Sequence, residues 1–209
     1  MSFTNKYINI IKTEKVIFYL LIGVLLFGFL VGLIFSNVNE KSIFTSNSIK
    51  FFVTALSSGG KIGTVILGRF FAYLLCLFLL LLATLSLPFI VVNFVIIFYN
   101  AYLLGALFIS LVTAFKLSGF VLYVFAILIL SLTALFGFII LSAVTVYSLK
   151  RYKDCKDKRN KLIVEAFLIT LLLLLLALLV TIIFVLLILR PLNLSFWIFF
   201  WYLPKVIAG

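Results

Sequence analysis

The run Phe70–Phe115, FFAYLLCLFLLLLATLSLPFIVVNFVIIFYNAYLLGALFISLVTAF, contains no Asp, Glu, Lys or Arg. Two further runs share that property, Leu117–Leu149 and Ala166–Leu189. Between them stands one dense basic cluster: Lys150, Arg151, Lys153, Lys156, Lys158, Arg159 and Lys161, opposed only by Asp154 and Asp157. Uncharged runs of this length cannot be buried in the core of a 209-residue soluble chain. Hydrophobic residues make up 67% of the chain and charged ones 11%, with a mean hydropathy of +1.43. A soluble domain is about half apolar and a quarter charged. The expected fold class is therefore all-α, a polytopic integral membrane protein of about five transmembrane helices forming a single membrane domain over 1–209.

A helix crosses the hydrocarbon with about 20 residues at about 1.5 Å each. Phe70–Phe115 is too long for one crossing, and Ser86-Leu87-Pro88 supplies a break. Proline removes a backbone donor and disfavours helix in the residue before it. The expected spans are about 16–35, 69–87, 89–115, 119–149 and 166–189, with an uncharged hairpin at Pro88. The first span follows a short basic N-terminus and resembles a signal peptide. It is longer than a typical signal core, and no small-x-small site follows before Ser36-Asn37, so the reading is an uncleaved first span.

Lysine and arginine set the orientation. With the N-terminus inside, Lys6, Lys12, Lys15 and the seven residues of the 150–161 loop lie on the cytoplasmic side. Lys41, Lys50, Lys61, Arg69, Lys116, Arg190 and Lys205 lie outside, and five spans put the C-terminus outside. The expected location is a bacterial cytoplasmic membrane. The net charge of +12 sits beside apolar runs. It points to anionic lipid heads as partners and away from nucleic acid. Cys76 falls in the second span and Cys155 in the cytoplasmic loop, environments that argue against a disulfide.

Two segments outside the spans carry a pattern. In 43–56, Ile49, Phe52, Val53 and Leu56 share one helical face, as in an amphipathic helix on the outer leaflet. That face either covers the membrane surface or docks a partner. Ser57–Gly63 resembles a phosphate loop only superficially, because Ile62 follows Lys61 where Ser or Thr would stand. After Arg190-Pro191, the stretch 192–203 is too short to span, and Trp197, Trp201 and Tyr202 suit an interfacial belt.

The inventory for chemistry is thin. The chain has no histidine, which removes Ser-His-Asp and Cys-His catalysis and the commonest metal ligand. Its five acidic residues, Glu14, Glu40, Asp154, Asp157 and Glu165, all lie outside the depths of the expected spans. Paired carboxylates, a carboxylate metal cage and a proton relay all lack material. The expectation is a protein without enzymatic activity, cofactor or metal. The polar groups inside the spans are Asn93 and Asn100, seven residues apart on one helix face. They read either as interhelical hydrogen-bonding groups or as the lining of a permeation path. Gly28 and Gly32 form Gly-x-x-x-Gly, and Ala101 and Gly105 a similar small pair, spacings that let helix backbones approach. They suit packing within the chain, with another membrane protein, or in a homo-oligomer.

The layout resembles the stage II sporulation protein M family, an integral-membrane member of the bacterial engulfment machinery. The likeness rests on the basic N-terminus before a span bearing Gly23, Gly28 and Gly32, the outer segment from Asn37 to about Gly68, and the Leu87-Pro88 break. It rests further on Phe98-Tyr99-Asn100-Ala101-Tyr102-Leu103-Leu104-Gly105, on Gly119-Phe120 opening a long span, and on the basic loop before the last span. Ala101 stands where the family stretch has its first glycine. The resemblance implies a non-enzymatic membrane anchor that recruits extracytoplasmic peptidoglycan-cleaving partners. On the residues alone, a scaffold of a multi-protein complex stands beside two other readings. One is a transporter or channel component paired with an ATPase at the Arg151–Lys161 loop. The other is a lipid-interacting or immunity-type protein.

Overall fold

A computed structural model describes residues 3–38, 62–82, 90–152 and 155–184. The outer segment 43–56 and the tail 192–203 lie outside the described residues, as do the Pro88 break, Lys153 and Asp154. Within them the fold is entirely helical: α1 (Phe3–Thr13), α2 (Lys15–Val38), α3 (Ile62–Leu82), α4 (Ile90–Leu122), a π-helical segment (Tyr123–Leu128), α5 (Ile129–Arg151) and α6 (Lys156–Phe184). Four stretches are long and apolar enough to cross a membrane: Lys15–Phe35, Ile90–Thr113, Ile129–Arg151 and Lys156–Ile183. The apolar part of α3, Ile66–Leu82, is shorter.

Contacts between the helices set the directions of α2 to α6. Gly28 meets Phe98 and Gly32 meets Tyr102 and Ala106, so α2 and α4 run parallel. Arg69 hydrogen-bonds Ser131 while Tyr73, four residues on, stacks edge-on against Phe138, seven residues on, so α3 and α5 run parallel. Glu14, just before α2, pairs with Lys150 at the end of α5, which sets those two antiparallel. α6 returns beside α5 after a short turn, with Thr170 against Gly137. The chain thus alternates direction from α2 to α6.

α5 is the central helix. Leu135, Phe138, Ile139, Leu141 and Val144 are fully buried, and it touches all the other helices. α2, α3 and α6 each bury one face and expose the other. Phe27, Leu30 and Ile34 of α2, Phe71 and Leu75 of α3, and Leu168, Leu172 and Leu179 of α6 point outward. Such apolar outer faces need lipid around them, because in water they would form a patch far larger than soluble monomers carry.

Three boundaries differ from the sequence expectation. A break at Lys116–Ser118 was expected between two spans, yet the backbone is helical through this region. The run is not straight. In a straight helix Leu104 and Tyr123 would stand about 28 Å apart. Instead the Tyr123 hydroxyl donates to the Leu104 carbonyl at 3.2 Å, and its ring lies 5.0 Å from that of Phe108. The helix therefore folds back between them, where Ser118-Gly119 provides a weak point in the ladder just before the π segment begins at Tyr123. The basic loop is also shorter than 150–161. Lys150 and Arg151 end α5, and Lys156, Lys158, Arg159 and Lys161 already belong to α6. Lysine and arginine are good helix formers, so α6 continues beyond its apolar run. Finally, α3 begins at Ile62, so Arg69 lies within the helix and not at its outer edge.

Candidate functional site

Four features bring together residues that could serve a function. The first is the α2–α4 seam. A Cβ on Gly28 would stand 2.7 Å from the Phe98 carbonyl oxygen. On Gly32 it would collide with the Tyr102 carbonyl oxygen, and on Gly105 with that of Phe29. These three glycines therefore set backbone against backbone, and Ala101, fully buried, completes the seam against Gly28. The small pairs meet each other inside one chain. Gly23 has no neighbour within 4 Å and takes no part.

The second feature is the pair of amides on α4. Both are buried, Asn100 at 8% and Asn93 at 1% exposure. The Asn100 side-chain nitrogen donates to the Ile96 carbonyl at 2.8 Å and to Cys76 Sγ of α3 at 3.6 Å. Among the described residues neither the nitrogen nor the oxygen of the Asn93 amide has a hydrogen-bond partner. Seven residues apart on one helix, the two amides have different environments.

The third feature is the basic end of the bundle, where α1 docks. Ile10 is buried in the core, and α1 lies against the C-terminal part of α5. Lys150 Nζ and Glu14 Oε2 stand 2.8 Å apart. Lys150 is half exposed, so the pair contributes at most about 1 kcal/mol; its significance is positional. Tyr7 sits near Glu165 of α6, and burial first and the Glu165 charge second push its phenol up to about 12. Glu165 thus belongs to a cluster with α1. Lys156, Lys158 and Lys161 are exposed around this end, Arg159 is half-buried, and Arg151 lies 5.8 Å from the Tyr147 ring centroid. α1 was missed at the sequence level, although Phe3, Tyr7, Ile10 and Ile11 follow a helical spacing.

The fourth feature, at the other end of α5, was also missed. Arg69 Nη1 donates to Ser131 Oγ at 3.2 Å, and the Tyr73 hydroxyl donates to the same oxygen at 2.7 Å. Tyr73, Tyr123 and Ser131 are buried and Arg69 is half-buried. No signal in the sequence joins residues 62 positions apart.

Cys76 and Cys155 are free thiols, one within the bundle and one exposed at the basic end. Among the described residues no group of three or more His, Cys, Asp or Glu side chains comes together as a metal site would need. Ile49, Phe52, Val53 and Leu56 lie outside the described residues. Nothing among protein-family models, curated proteins or solved structures matches this chain.

Proposed function

We propose that this chain is a non-enzymatic scaffold or anchor in a bacterial cytoplasmic membrane, holding partners of a multi-protein complex. One observation carries the reading: the small residues of the α2–α4 seam lock two helices backbone to backbone. Asn100, Tyr123 and Thr170 likewise turn their polar groups into the bundle, bonding Cys76, Leu104 and Gly137. A stiff bundle of this kind suits the display of a fixed outer surface. The basic end, with α1 and Lys150 through Lys161, faces the cytoplasm in this reading, because basic residues are retained on that side. The segment 43–56 and the C-terminus are then outside. Partners that remodel the cell wall follow from the family resemblance, and the docking face is Ile49, Phe52, Val53 and Leu56.

The test is co-purification from the native host in mild detergent, with mass spectrometry of what elutes. Extracytoplasmic cell-wall hydrolases are expected with the wild type. They are expected to be lost with the Ile49→Asp/Phe52→Asp double variant, which inserts normally because the change lies outside the spans. Partners retained undiminished by the double variant would remove this face from the account.

The second reading, a transporter subunit partnered with an ATPase, draws on the unpaired amide of Asn93. Burial of both amides between helices weighs against a permeation path through them. An ATPase as the dominant co-purifying protein, with flux lost in Asn100→Leu, would favour it.

A further inference from the structure

The Arg69 cluster has more donors than acceptors. Arginine carries five N–H donors in a planar fork and no acceptor. One of them goes to Ser131 Oγ, and no other hydrogen bond is made by this guanidinium among the described residues. Ser131 Oγ also receives the Tyr73 hydroxyl. Whichever of those two hydroxyls donates, one hydroxyl hydrogen of the pair is left without an acceptor. The Tyr123 hydroxyl, close enough to feel the arginine charge, is already spent on Leu104.

Among the described residues the charge is equally unmatched. The described carboxylates Glu14, Asp157 and Glu165 all stand at the basic end: Glu14 pairs with Lys150, Asp157 is in the first turn of α6, and Glu165 is near Tyr7. Ser131 precedes Lys150 by 19 residues of one helix, about 28 Å along its axis. The hydrocarbon core of a bilayer is about 30 Å thick. Arg69 therefore lies near the boundary opposite the basic end, the level of the other leaflet's phosphates. A half-buried cation in an apolar bundle, with no carboxylate against it among the described residues and with spare donors beside it, calls for an anion with several acceptor oxygens. The guanidinium fork matches a phosphate oxyanion in two-point geometry.

The geometry points to a binding site for a phosphate oxyanion, built from Arg69, Ser131 and Tyr73. Its source is either a phospholipid headgroup of the leaflet opposite the basic end or free inorganic phosphate. The site is independent of the scaffold reading, since it stands at the far end of the bundle from the basic residues and uses no residue of the outer segment 43–56.

The test uses the full-length chain in neutral detergent. Native mass spectrometry counts retained dioleoylphosphatidylglycerol against phosphate-free dioleoylglycerol, and calorimetry follows sodium phosphate. Because the basic end also attracts anionic lipid, every protein carries Lys156→Gln/Lys158→Gln. The phosphate-bearing probe is expected to bind, and Arg69→Gln to weaken it roughly ten- to hundredfold, the scale of losing a charge-assisted contact. Arg69→Lys keeps the charge without the fork and should fall between. Ser131→Ala, which removes the bridging hydroxyl, decides the matter if Arg69→Gln fails to give a monodisperse helical protein. Retention of the lipid alone assigns the site to a headgroup, and heat from sodium phosphate assigns it to the free oxyanion. Equal lipid retention by wild type and variants, with no phosphate heat, overturns the site.

Discussion

Alanine at Gly32 or at Gly105 is expected to lower the stability of the folded protein by about 1–3 kcal/mol each, the usual cost of forcing atoms into a packed contact. The added Cβ would collide with the Tyr102 carbonyl in one case and the Phe29 carbonyl in the other. A backbone carbonyl cannot swing aside as a side chain can, so the two helices must separate. Gly23 and Gly68 provide the internal controls, since no atom beyond the adjoining residues and backbone of their own helix lies within 4 Å of the position their Cβ would take. Alanine there should be neutral or gain up to about 1 kcal/mol from helix propensity. Equilibrium unfolding in mixed micelles, followed by circular dichroism, compares the four. Gly32→Ala and Gly105→Ala disturb the same seam, so the double variant should lose less than the sum of the two. Four equal results would remove the seam from the account.

The second large effect separates two residues that look alike in the sequence. Asn93→Leu is expected to raise stability by about 1–3 kcal/mol, because a buried amide without partners among the described residues bears its full desolvation cost. Leucine reproduces the branched outline of asparagine without polar atoms. Asn100→Leu is expected to lower stability by about 1 kcal/mol, since it deletes the bonds to Ile96 and Cys76. The same unfolding measurement reads both. A loss in Asn93→Leu equal to that in Asn100→Leu would show that Asn93 is satisfied. A gain accompanied by impaired growth of the host would mark Asn93 as a residue kept for function at the expense of stability.

The membrane class was legible because it rests on charge placement alone, which needs no tertiary information. The Gly28/Gly32 and Ala101/Gly105 spacings identified four residues that lie in a close seam, but not that the two pairs face each other. The distinction between Asn93 and Asn100 was invisible, because it depends on Cys76 arriving from another helix. Arg69 stands as a flanking charge at the mouth of a span in the sequence; its partner Ser131 lies on α5, beyond α4 and the π segment. Two boundary errors share one cause. The apolar runs mark where lipid is, whereas helices extend past them, so α3 starts before Arg69 and α6 begins at Lys156. The short helix α1 carries no apolar run that would mark it, since Lys6, Asn9 and Lys12 interrupt its apolar residues.

The side of the membrane that each end occupies decides which partners can reach it. Cys155, exposed beside the basic cluster, is a natural reporter, and Cys76→Ala silences the other thiol. A membrane-impermeant maleimide applied to intact cells, then to permeabilised ones, reads its side directly, with Asn47→Cys in a Cys76→Ala/Cys155→Ala background as the opposite-side reporter. The account predicts that Cys155 reacts only after permeabilisation and that the thiol introduced at position 47 reacts in intact cells. Labelling of Cys155 in intact cells, with position 47 protected, would invert the orientation and contradict an anchor for extracytoplasmic partners.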